Sequence, residues 1–360
     1  MNPRVLYRTH YQVDEPAIIE LLIKRCTSPV SSAYDETIAE KLAKEVSLKK
    51  KPFNVPAAAY ALDLARGLGV VNEQNVWSDK GHLVNLLADV FERPWDKEVE
   101  LTPRERLLHF RLFIEGDGAA LIFIARYLLE YGRVPNSEDG WNDLAKSLFS
   151  QIYSAYLKLA DTTADRVSLR SEVERILARG YTGKSGSHKM FVHLQTLYRL
   201  GLIDRASSAA RQYSIFRDAG GLRALVNEIP NLYELDRVIK ESRTVEIAAR
   251  VFQVGDSLEG RAWTIDEVLQ LAVPLYKKVM ETGVPLCPLT TIAEAIQIGL
   301  LARRSELLRH ATLLELLQRA QRERPADVRF HVDRRGVPAF LKFSPELVSS
   351  YSSQGSNQTL

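Results

Sequence analysis

Apolar residues recur every three or four positions through most of this chain, and that period constrains it more than any other feature. It marks Ile38–Val46, Ala57–Leu68, Leu83–Phe91, Arg104–Phe113, Ala119–Tyr131, Leu144–Leu159, Leu169–Leu177, Phe191–Leu200, Leu232–Phe252, Ile265–Val279, Ile292–Leu301 and Leu313–Arg322. A repeat near 3.6 residues puts one apolar stripe on each segment and predicts packed helices. Helix starts are marked at Asp35, at Thr102 before Pro103, at Ser187, and at Thr264 before Asp266 and Glu267. Alternating strand patterns are few and short, and they come in pairs after helices. The clearest is Val328–Val332, then Asp-Arg-Arg-Gly, then Ala339–Phe343. The fold class expected is mainly α, with short β-hairpins joined by helical segments.

At 360 residues and 46% hydrophobic content the chain can bury a full core without staples. Its two cysteines, Cys26 and Cys287, exclude a disulfide framework and a cysteine-rich zinc site. The most apolar stretch, Gly118–Gly132, is interrupted by Arg126 and Glu130 and is too short to span a bilayer. The start, MNPRVLYRTHYQVDEP, has no signal-peptide core. A cytoplasmic protein with no membrane partner is expected.

The net charge of +3 is uninformative until it is divided along the chain. Residues 1–165 carry −4, residues 166–226 carry +7, residues 227–263 carry −2 and residues 264–360 carry +2. The middle window holds eleven basic and four acidic side chains, the footprint of a surface that meets a polyanion.

Two stretches share an order of helix, Leu-Gly-hydrophobic strand, turn, return strand, helix. One is Gly67-Leu-Gly-Val-Val71 with Val76-Trp-Ser-Asp-Lys-Gly-His-Leu-Val84; the other is Tyr198-Arg-Leu-Gly-Leu-Ile-Asp-Arg205 with Gln212-Tyr-Ser-Ile-Phe216. In the second, strand Leu202–Asp204 is expected to pair with Tyr213–Phe216. This order resembles the winged helix-turn-helix superfamily, over about a third of the chain. The segment 227–348 ends in helices and a hairpin without the Leu-Gly junction. It reads either as a third winged unit or as an unrelated helical domain with a β-ribbon. The division expected is a winged unit at 1–94, a helical linker at 95–165, a basic winged unit at 166–226, a helical and hairpin domain at 227–348, and a disordered tail at 349–360.

The resemblance implies DNA recognition through the helix before the ribbon. On a helix over 187–200, Phe191, Leu194, Leu197 and Tyr198 share the core face. His188, Val192, Gln195 and Arg199 share the opposite face, with Lys189 and Thr196 beside it. Gln suits adenine, Arg suits guanine and Lys suits phosphate. Lys184, Ser185 and Ser187 precede the helix N-terminus, an anion site, and Arg205 and Arg211 flank the wing. Arg303, Arg304, Arg309, Arg334 and Arg335 offer a second basic surface. At the level of fold analogy, such chains resemble recognition or adaptor components of prokaryotic restriction or phage-defence assemblies, with duplex DNA and a protein partner or self-association. The alternative is a protein-interaction scaffold of the same units without nucleic acid.

Catalytic signals stay at background. Ala178 through Gly183-Lys184-Ser185 approximates a phosphate-binding loop, but it follows a charged helical segment instead of a buried strand. Arg104 with His109 and Arg304 with His310 resemble the Arg-x(4–6)-His signature of HEPN-type ribonucleases, although Glu105 and Ser305 follow the arginines where a polar Asn, Asp or His is usual. Asp333 with Lys342 lacks the second carboxylate of a metal-dependent nuclease, because Phe340 stands in its place. No enzyme activity, cofactor or metal is expected.

Overall fold

The computed structural model describes residues 64–72, 77–87, 101, 103–134, 138–160, 162–178, 193–207, 212–214, 219–254, 261–334 and 336–352, together with two short paired strands, β1 (Ser47–Leu48) and β2 (Lys51–Pro52). The fold is mainly helical with small antiparallel sheets. In chain order the remaining elements begin with α1 (Asp79–Leu86), α2 (Pro103–Tyr131), α3 (Glu138–Leu159) and α4 (Thr163–Ala178). A helix over 193–199 then leads to β3 (Asp204–Ser207) and β4 (Gln212–Ser214). Three short helices follow: α5 (Gly220–Glu228), α6 (Leu232–Lys240) and α7 (Thr244–Val251). The last part runs α8 (Ile265–Met280), β5 (Cys287–Pro288), α9 (Leu289–Arg304), α10 (His310–Glu323), β6 (Val328–Val332), β7 (Pro338–Phe343) and α11 (Pro345–Ser352).

The largest departure from the sequence reading is α2. Two helices separated at Glu115-Gly-Asp-Gly118 were expected, inside a linker; one 29-residue helix forms instead. It packs against α3, α5, α6, α7 and α9 and is the axis of the molecule. Phe110, Phe113, Leu121 and Leu128 on it are buried, and Phe110 meets Phe252 edge to face at 5.5 Å. Glycine costs about 1 kcal/mol in a helix interior, but here packing uses it. A Cβ on Gly118 would lie 3.0 Å from Leu235 Cδ1, so the missing side chain lets α6 approach.

The two Leu-Gly junctions have the same geometry. Gly69 and Gly201 both have φ of +71°. The Gly69 N–H donates to Arg66 O and the Val70 N–H to Ala65 O, both at 2.8 Å. The Gly201 and Leu202 N–H groups donate to Tyr198 and Leu197 O, both at 2.9 Å. Each is a left-handed helix stop, and glycine takes that backbone without a Cβ clash. After the first stop, Val71 bridges Trp77 antiparallel, and the turn between them with Val76 lies outside the described residues. After the second, β3 and β4 pair as Asp204↔Ser214, Arg205↔Tyr213 and Ser207↔Gln212. The expected strand at 202–204 therefore begins two residues later, because Leu202 and Ile203 are buried in the core at the helix exit.

Two further boundaries move. The expected helix Leu232–Phe252 is broken by Ser242, with φ of +53°, into α6 and α7. The expected tail starts too early: Ser349–Ser352 belong to α11, whose Leu347 N–H is capped by Ser344 Oγ at 3.1 Å. Tyr351 Oη there donates to Asp266 at 3.1 Å. The apolar positions Leu347, Val348 and Tyr351 follow a helical period too short to stand out in sequence. Residues 353–360 lie outside the described residues. The Thr264 start forms a reciprocal capping box, Thr264 N–H to Glu267 Oε2 at 2.9 Å and Glu267 N–H to Thr264 Oγ1 at 3.3 Å.

The C-terminal part is the most regular. β7 lies between β5 and β6, pairing Cys287↔Leu341 on one side and Phe330↔Leu341 on the other, so the strand order is β5-β7-β6. Val328 is buried and Phe330 half-buried, but Val332 is 57% exposed, so the hairpin leaves the core toward its tip.

Close packing at Gly81 gives a test of the first unit. A Cβ there would stand 2.5 Å from Val70 O and 2.9 Å from Trp77 Cβ. Gly81→Ala is expected to destabilise by about 1–3 kcal/mol, read as a lowered thermal midpoint. At Gly132, with φ of +74° and open space around it, alanine carries only the backbone cost of roughly 1–2 kcal/mol. A Gly81→Ala protein as stable as the parent would count against this packing.

Candidate functional site: a buried charge hub and an exposed basic face

Of the charged residues along α2, Arg111 and Asp117 are buried and Glu115 nearly so, whereas Arg126 is half-buried and Glu130 exposed. The three enclosed ones engage other parts of the chain. Arg111 Nε contacts Glu294 Oε1 of α9 at 2.6 Å, and its Nη1 lies 2.5 Å from Glu115 Oε1. Glu115 also meets Lys80 Nζ of α1 at 2.7 Å. Lys80 in turn donates to Leu68 O at 3.0 Å and so closes the end of the helix before Gly69. Glu294, Arg111, Glu115 and Lys80 thus form a chain of alternating charge that joins α9, α2 and α1, enclosed except at the half-buried Lys80. Thr291 Oγ1, donating to Asp79 O at 2.9 Å, adds a second tie between α9 and α1.

Burial alone would push the Glu115 carboxyl up, but Arg111 and Lys80 together hold it below the usual carboxylate range. Burial also drives Lys80 below the ordinary lysine value, against the pull of Glu115. Glu294 is pushed up by burial against the attraction of Arg111.

The other side of α2 faces the helix over 193–199. Asp117 Oδ2 and His193 Nδ1 are 2.7 Å apart, and both side chains are fully buried. One turn and two turns earlier stand Phe113 and His109; the guanidinium of Arg106 approaches the site where a Gly201 Cβ would be, at 3.4 Å. His109 is 2% exposed, and burial, with Arg199 nearby, lowers its pKa to about 3.

These contacts decide where the expected DNA residues stand. Lys184, Ser185, Ser187, His188, Lys189 and Arg211 lie outside the described residues, as does the phosphate-loop-like segment after Ala178. Arg205 is in β3 with its backbone paired to Tyr213. Gln195, expected on the exposed face, is buried at 9%, and Thr196 beside it at 1%. Arg199 is half-buried and sits near His109. Gln195 is covered because the 193–199 helix is packed over much of its circumference, with only Tyr198 and Arg199 half-buried.

Exposed basic side chains also collect at the C-terminal part of the described residues. Residues 303–342 contain ten basic and five acidic side chains, a net of +5. Arg303, Arg304 and Arg309 are exposed at the end of α9 and the start of α10. Arg319 and Arg322 are exposed on α10, and Arg329, Arg334 and Lys342 on the hairpin. Buried contacts fix α10 beneath them. The His310 N–H, first in the helix, donates to Glu246 Oε1 of α7 at 3.0 Å, a carboxylate at a helix N-terminus. Gln297 Nε2 donates to Leu308 O at 3.0 Å, holding the preceding turn.

Of the ribonuclease-like pairs, His109 and His310 are both buried, and burial lowers His310 as well. Arg304 is exposed while His310 is not. Asp333 Oδ1 accepts from Val337 N–H at 3.0 Å and serves the hairpin turn. Among the described residues no three His, Cys, Asp or Glu side chains are placed to hold a metal ion, and no helix is long and apolar enough to cross a membrane.

Sequence reasoning missed Lys80, Arg111, Glu115, Asp117, His193 and Glu294. For Arg111, Glu115 and Asp117 the available signal was their place inside the apolar period Leu107–Leu128, where most positions face the core.

Set against protein-family models, curated proteins and solved structures, the chain matches none of them.

Proposed function

We propose that the protein binds duplex DNA through winged-helix units, with the unit α8–β7 as a principal contact surface. The observation that carries this is the coincidence of topology and charge in that unit. Helices α8, α9 and α10 followed by the hairpin β6–β7, with β5 paired to β7, support this reading, although the Leu-Gly junction is missing here. Exposed Arg319, Arg322, Arg329 and Arg334 are on α10 and the hairpin, the two elements such a unit presents to DNA. Lys184, Ser185, Ser187, His188, Lys189, Arg205 and Arg211 remain candidates for a second contact. Gln195 does not, because a buried amide cannot reach a base edge.

The test is a mobility-shift titration with duplex DNA at two salt concentrations. Arg319→Glu, Arg322→Glu and Arg334→Glu combined should weaken binding and flatten the salt dependence by about 0.9 log units for each phosphate no longer neutralised. Lys184→Ala with Lys189→Ala should flatten it further. No affinity for duplex at low salt would end this reading. Affinity that all these substitutions leave unchanged would move the interface elsewhere. An adaptor role would also require a face for protein.

A further inference from the structure

A groove between α3 and α6, floored by α2, is open to solvent. Two adjoining cavities of about 610 and 350 Å³ share Lys158, Leu159 and Tyr233 as lining. From Ser150 to Leu159 the wall runs about 14 Å at 1.5 Å per residue, room for two or three helical turns. The floor is apolar, from Phe123, Ala155, Leu159 and Leu232. Tyr233 stands over it 62% exposed, a large rigid side chain of the kind that dominates binding energy.

Charge is uneven along the groove. At the α6 end the acids are already engaged: Glu234 pairs with Arg237 at 2.7 Å, Glu241 pairs with Arg243 at 3.1 Å, and Asp236 is buried at 9%. Lys158 and Lys240 are exposed there and form no ion pair among the described residues. Hydroxyls and an amide, from Ser150, Ser154 and Gln151, line the other end without charge.

We propose that this groove docks an amphipathic helix of a partner protein, apolar face down, with carboxylates at the end facing Lys158 and Lys240. The apolar floor between two helices suits anchors at i, i+4 and i+7, and the two free ammonium groups select acidic over basic ends. The surface is small, so binding is transient, with a Kd of roughly 1–100 µM. It is separate from the arginine face of α10 and the hairpin, so occupation of one leaves the other available.

The experiment is fluorescence anisotropy on the full chain with a labelled synthetic helix of about 14 residues, leucines at i, i+4 and i+7 and three glutamates at one end. Saturable binding is expected. Lys158→Glu with Lys240→Glu, or Tyr233→Ala alone, should weaken it at least about tenfold, with circular dichroism unchanged because all three side chains are exposed. The Arg319, Arg322 and Arg334 glutamate variant should bind the peptide like the parent, which separates this surface from the DNA reading.

Four results would overturn the proposal. They are no saturation by about 1 mM, equal binding of a peptide with lysines in place of glutamates, parent-like binding by the groove variants, and decanoate binding with the same residue dependence while the peptide does not bind. Sedimentation supplies one more: a dimeric parent that Tyr233→Ala converts to monomer would assign the groove to a second copy of this chain.

Discussion

Arg111→Met is expected to lower the unfolding free energy by about 3–5 kcal/mol, the usual consequence of removing one member of a buried ion pair. The guanidinium is nearly enclosed, touches Glu294 at 2.6 Å and Glu115 at 2.5 Å, and is their shared partner. Without it, Glu294 keeps its burial and is deprived of its counter-charge, while Glu115 retains Lys80. The effect should therefore be coupled to Glu294. Arg111→Met with Glu294→Met removes both charges of the closest pair and should destabilise by less than the sum of the two single substitutions, by at least about 1 kcal/mol. Urea unfolding of the four proteins measures this. Additive effects, or a single variant within about 1 kcal/mol of the parent, would mean that these ion pairs contribute little.

Acidification from pH 7 to pH 5 is expected to weaken the fold, and His109 is expected to account for much of that change. Its folded pKa is about 3 against an ordinary value of 6.5. Between those values the unfolded chain binds a proton that the folded chain refuses, so stability rises with pH there. The contribution is fully present above 6.5 and is lost as pH falls toward 3. At about 1.4 kcal/mol per unit the loss is about 2 kcal/mol by pH 5. Burial also lowers His82 and His310, which add change of the same sign. His109→Leu should reduce the difference between pH 7 and pH 5 by about 2 kcal/mol. An unchanged difference in that variant would remove His109 as the cause.

Both effects arise on α2, and the two sides of that helix divide the work. Arg111 and Glu115 reach α9 and α1 on one side; His109 and Asp117 reach the 193–199 helix on the other. The helix expected within a linking segment packs against α3, α5, α6, α7 and α9. If the arginine face of α10 meets DNA and the groove beside α6 meets protein, α2 is the body between the two surfaces, packed against both α9 and α6.

Much of the secondary structure was legible in sequence because it depends on local chemistry. Thr264 with Glu267 is a capping box in sequence and in the fold. Leu-Gly at 68–69 and 200–201 marks helix stops because only glycine takes φ of +71° without strain. The Val328–Phe343 hairpin follows from alternation and a turn-rich tip. The candidate DNA face was less legible. The +7 window pointed to 166–226, yet Gln195 and Thr196 inside it are buried, since a helix face is exposed only where no other element covers it.

The sequence by itself determined a mainly helical chain, its stops and caps, and where the charges are along it, because periodicity, φ preference and capping act within a few residues. Only the tertiary structure decided that Glu115-Gly-Asp-Gly118 continues a helix, and which charges are solvated. Gly118 is tolerated because Leu235 fills the space beside it, and Asp117 is tolerated because His193, 76 residues away in sequence, meets it at 2.7 Å. Those partners are distant along the chain, and no local rule contains them.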